Sequence, residues 1–135
     1  MFLSMLNSKQ KDMFRELCVY LINVDNDVDE REVTMLQAYC DEMGIPFSEK
    51  VAYNNMDDLM KDICEISSES EKRMIAFELI GIVYADQLIK DEEYDCISTF
   101  SEISGIPATV MKRFEKSVKD IYTINSELIN IINNV

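Results

Sequence analysis

"YCDEMGIP", residues 39–46, closes one run of helically spaced apolar side chains, and "FSEISGIP", residues 100–107, closes another. A glycine at that point supplies a left-handed C-terminal cap, and proline stops one helix while opening the next. Gly44-Ile45-Pro46 and Gly105-Ile106-Pro107 are offset by 61 positions. Carried backwards at that offset, the chain aligns with itself without a gap from Asp12/Arg73 to Pro46/Pro107. Asp25 falls on Asp86, Val28 on Ile89, Glu32 on Glu93, Leu36 on Ile97 and Tyr39 on Phe100. This reads as an internal duplication of a helix–turn–helix unit, copies 12–46 and 73–107, with a pseudo-twofold relation. One such hairpin cannot bury its apolar face alone, whereas two packed face to face can.

Outward from these units, only three glycines and two prolines interrupt the chain, and helical spacing runs almost throughout. Phe14, Leu17, Cys18, Leu21 and Ile22 line a first helix; Val33, Leu36, Tyr39, Cys40 and Met43 line a second. Met56, Leu59, Met60 and Ile63 mark a third, and 71–85, apolar nearly all round, a central fourth. Ile97, Phe100 and Ile103 belong to a fifth; a sixth starts at Pro107 and carries Val110, Met111, Phe114, Val118 and Ile121. "SELINIINN" reads as a short last helix. The expectation is an all-α, single compact domain, 1–135, of about seven helices.

At 135 residues the chain can bury roughly two-thirds of its unfolded surface. A net charge of −13 argues against nucleic acid or an anionic membrane surface and suits a cation or a basic partner. There is no histidine, so the usual general base and the commonest transition-metal ligand are both missing. Cys18, Cys40, Cys64 and Cys96 include no C-x2-C pair and fall among apolar residues, which predicts buried structural thiols in a reducing cytosol. "MFLSML" is too short and lacks the basic flank for a signal peptide, and "MIAFELIGIVYA" is too short to cross a bilayer.

"VDNDVDEREV", residues 24–33, places five carboxylates within eight positions. It matches the first three ligands of an EF-hand loop as Asp25, Asp27 and Asp29. The turn glycine is replaced by Glu30 and the closing bidentate glutamate by Leu36, so the shell of an EF-hand cannot close. What recurs in both copies is one Asp at the turn and one Glu seven residues on; Asp27 and Asp29 meet Leu88 and Lys90. Two readings compete. In the structural one, the Asp accepts turn N–H groups while Asp29 and Glu32 form a capping box at a helix start. In the functional one, Asp25, Glu32, Asp86 and Glu93 converge on one hard divalent cation, Ca²⁺, Mg²⁺ or Mn²⁺.

The pattern resembles the TerB-like family of tellurite-resistance proteins, in which an apolar helix ends in Ala-Asp-Gly and a Glu follows in the next helix, often in duplicate. The matching stretches are "NVDNDVDEREV" with "YCDEMGIP" and "YADQLIKDEEY" with "FSEISGIP", across residues 9–107. After the Asp this chain has Asn26 and Gln87 in place of the family's Gly; Gln tolerates a left-handed backbone less readily, so the second turn is expected to differ in shape. The resemblance implies a non-enzymatic, cytoplasmic helical stress-response domain with a divalent-metal site at Asp25, Glu32, Asp86 and Glu93, and Asp27 and Asp29 as additional ligands. It also implies a protein partner in a membrane-proximal assembly. The alternative is an acidic helical adaptor that docks a basic partner without metal.

Overall fold

The computed structural model describes all residues, 1–135. A 3-10 turn, Leu3–Met5, precedes six α-helices: α1 (Ser8–Ile22), α2 (Glu30–Met43), α3 (Met56–Glu65), α4 (Glu69–Val83), α5 (Asp91–Ser104) and α6 (Ala108–Asn133). No strand is present, as the unbroken helical spacing predicts. The expected last short helix is not separate. Thr123, Asn125 and Ser126 are polar but exposed, and without Gly or Pro nothing stops α6 from running through them.

Helix starts follow local chemistry. Asn7 and Gln10 cap α1 reciprocally, Asn55 accepts from the Asp58 amide ahead of α3, and Ser68 and Glu71 form a capping box on α4. Gly44 and Gly105 end α2 and α5 in left-handed conformation, at φ 70° and 77°. The two ends nonetheless close differently. At Gly44 the Ile45 amide reaches the Cys40 carbonyl and the Gly44 amide that of Asp41, a Schellman pair; at Gly105 a single bond runs to the Ser101 carbonyl. Only Pro107 opens a helix directly, whereas Pro46 leads into an irregular segment that lasts to Asn55.

The core sits around α4, which packs on α1, α2, α5 and α6. Ile75, Ala76, Leu79, Ile82 and Val83 are fully enclosed there, facing Phe14, Leu17 and Cys18 of α1 and Phe100 of α5 in one cluster. At Gly81 the α4 backbone admits Tyr39, whose hydroxyl donates to the Glu78 carbonyl at 2.8 Å. A Cβ at Gly81 would stand 2.6 Å from that hydroxyl oxygen. No helix is long and apolar enough to cross a membrane.

Candidate functional site: two acidic corners

The turns after α1 and α4 have the same construction. The Asn26 amide donates to the Asn23 carbonyl at 3.1 Å, and the Gln87 amide to that of Tyr84 at 2.8 Å. Asn26 and Gln87 both hold a left-handed backbone, φ 60° and 64°. The aspartate before each reaches forward: Asp25 Oδ1 accepts from the Asp27 amide at 3.1 Å and Asp86 Oδ1 from the Leu88 amide at 3.0 Å. That is the turn an Asp side chain favours. Gln87 therefore adopts the conformation of Asn26, and the expected difference between the turns is not found.

The corners meet in space. Lys90, the residue before α5, places Nζ 2.9 Å from Asp25 Oδ2 and 3.8 Å from Asp27 Oδ2. The ammonium holds the Asp25 carboxyl below its ordinary value, and Asp25 in turn holds Lys90 above its own. Beneath this pair lie Glu32 and Glu93, each in the first turn of its helix, 1% and 2% exposed and within hydrogen-bonding reach of one another. Glu93 Oε1 accepts from the Lys90 amide at 3.0 Å. Glu32 Oε2 is buried with no donor. Burial pushes Glu32 up to about 9, helped by its hydrogen bond to Glu93 and by the charges of Glu93 and Asp86. Burial also raises Glu93. Two carboxyls in such contact cannot both ionise cheaply.

The remaining acids play local parts. Asp29 caps α2 through the Arg31 amide at 2.8 Å and pairs with the Arg31 guanidinium at 3.0 Å. Glu32 does not complete the capping box expected with Asp29, because its side chain turns inward to Glu93. The corresponding reach-back bond occurs in α5 instead, from the Lys90 amide to Glu93. Lys90 is the residue that sequence reasoning passed over; its signal was a cation aligned with Asp29, in a chain where Asp and Glu outnumber Lys and Arg 26 to 13.

Oxygen donors alone suit a hard divalent cation, and Glu32 Oε2 offers a buried lone pair that faces no proton donor. Against this, no three Cys, Asp or Glu side chains are gathered closely enough to hold a metal ion as the chain stands. The Lys90 ammonium takes the Asp25 oxygen that a third ligand would supply. Compared with known proteins, the chain matches no family model, no curated protein and no solved structure.

Proposed function

We propose that the chain is a non-enzymatic helical module of TerB-like type that takes up a divalent cation, Ca²⁺, Mg²⁺ or Mn²⁺, between its two corners. Asp25, Glu32, Asp86 and Glu93 would hold it; Asp27 and Asp29 are the additional candidates at the first corner, Asp29 being engaged by Arg31. The observation that carries the reading is Glu32 Oε2, a buried acceptor without a donor beside a second buried carboxyl. A bound divalent cation would supply there two positive charges in oxygen coordination. In its place, the Lys90 ammonium at Asp25 and a proton on the carboxyl pair would balance the same charge. Cation uptake thus requires Lys90 to release Asp25 and the carboxyl pair to give up its proton. The matched turns at Asp25 and Asp86 support reading 12–46 and 73–107 as duplicated units with a pseudo-twofold relation. A role in a membrane-proximal stress-response assembly rests on the family resemblance.

A second reading is favoured by Lys90 itself. A lysine amine already docks on Asp25 and Asp27, which is how a basic protein partner would be received by an acidic adaptor.

Thermal unfolding separates the two. A cation that binds only the folded chain stabilises it by about 2.7 kcal/mol at a hundredfold excess over Kd. For a domain of this size the midpoint rises on the order of 4 °C or more. Millimolar Ca²⁺ or Mn²⁺ should produce that rise beyond KCl at matched ionic strength. Asp25→Asn and Asp86→Asn should each abolish it, with no further loss in the double variant, and Lys90→Met should tighten metal binding. Additive stability losses with no cation selectivity would sink the metal reading and leave the adaptor.

A further inference from the structure

The far half of α6 leaves the core: its last contact with the body is Tyr122, edge-on against Tyr84 at 5.3 Å between ring centres, and beyond it no residue is buried. The body of the protein holds α6 through Met111 and Val118, with Phe114 and Tyr122 partly covered, and every residue from 123 to 135 is exposed. Its apolar side chains are not scattered. Ile121, Ile124, Leu128 and Ile131 follow at intervals of three and four, Ile132 flanks them, and Val135 continues the series just past the helix. This is the spacing of a heptad seam, whose knobs fit the holes of a like helix. Ile124, Leu128, Ile131 and Ile132 are 55%, 51%, 71% and 69% exposed. With Val135 they form one apolar stripe that supplies much of the ~800 Å² per partner that a stable interface buries. A helical half of this length is marginal in water without a partner.

We infer that residues 121–135 pair with the same segment of a second copy, antiparallel, to form a homodimer. The charge distribution selects both occupant and direction. The chain carries −13, yet Glu127 is the only charged side chain in 121–135, so approach of a like molecule is least opposed there. Antiparallel pairing sets the two acidic bodies at opposite ends of the seam; parallel pairing would bring them side by side. The same acidity disfavours an anionic lipid surface as the occupant.

Sedimentation of the whole chain from low micromolar to near-millimolar concentration tests the inference. A dimer is expected, and it should become a monomer in the Leu128→Glu/Ile131→Glu variant with its helical circular dichroism largely kept, because both sites are exposed. In a Cys96→Ser background, Leu128→Cys, at the middle of the seam, should form disulfide-linked dimers far faster than Val135→Cys. A monomer at every concentration overturns the inference, as does a dimer that survives the double substitution. Binding of the monomer to uncharged phosphatidylcholine vesicles would assign the stripe to lipid and overturn it too. Equal cross-linking at positions 128 and 135 would overturn the antiparallel arrangement.

Discussion

Glu32 ties folding to protonation. Its carboxyl is raised from 4.5 to about 9 in the native state, so between those values the folded chain holds a proton that the unfolded chain has released. A native state that binds more protons loses stability as pH rises, so this contribution is intact below the ordinary carboxyl value and is lost progressively towards pH 9. Glu78, raised mainly by burial, acts in the same direction. In chelator-treated buffer the denaturant midpoint should therefore fall from about pH 5 to about pH 9, and Glu32→Gln should flatten much of that slope. An unchanged slope in the variant would mean that the carboxyl pair is not where the proton resides. The pairing of Glu32 with Glu93 was legible as a recurrence at a fixed offset. The Lys90–Asp25 ion pair was not, because it joins two corners whose proximity depends on how α1 and α4 pack, and sequence alone marks Lys90 only as a poor cap.

Among the elements, the two turns store a small strain that can be relieved. A non-glycine residue in left-handed backbone is disfavoured, less so for Asn than for Gln. Gln87→Gly should stabilise the protein by roughly 0.5–1 kcal/mol, and Asn26→Gly by less, both read from denaturant midpoints. Gains in the reverse order would mean that the Gln87 side chain contributes more to the second corner than its backbone costs. The helix ends at Gly44 and Gly105 could be read directly from sequence, since a left-handed cap meets a local backbone requirement, whereas the caps at Asn7, Asn55 and Ser68 were not read there. The continuity of α6 could not: a polar stretch resembles a loop until its exposure shows that its side chains have no core to face. Likewise, identical Gly-Ile-Pro words did not disclose that one closes as a Schellman pair and the other by a single bond. That choice lies with the chain after the proline, irregular after Pro46 and helical after Pro107.

For the whole molecule, an all-α body was legible because helical periodicity was broken so rarely, and a central α4 because its apolar residues cover nearly the full circumference. Burial of the thiols was legible only in part. Cys18, Cys40 and Cys64 are buried, but Cys96 is only half-buried, at the edge of the core beside Met56 and Met60 of α3. Burial raises all four thiols, Cys96 to about 11 and Cys18 well above the ordinary value, so none is reactive at neutral pH. A thiol reagent should label Cys96 first and slowly, and the other three only on unfolding. Labelling of Cys18 as fast as Cys96 in the native protein would contradict the packing of α1 against α4. The Tyr39 ring wedged at Gly81 has an optical consequence. The chain has no tryptophan and six tyrosines, and Tyr39 is the one enclosed in the core, its hydroxyl fixed to a main-chain carbonyl. Held in one chiral setting, that ring should dominate the near-ultraviolet circular dichroism, and its band should vanish when α2 and α4 part even while helix content survives.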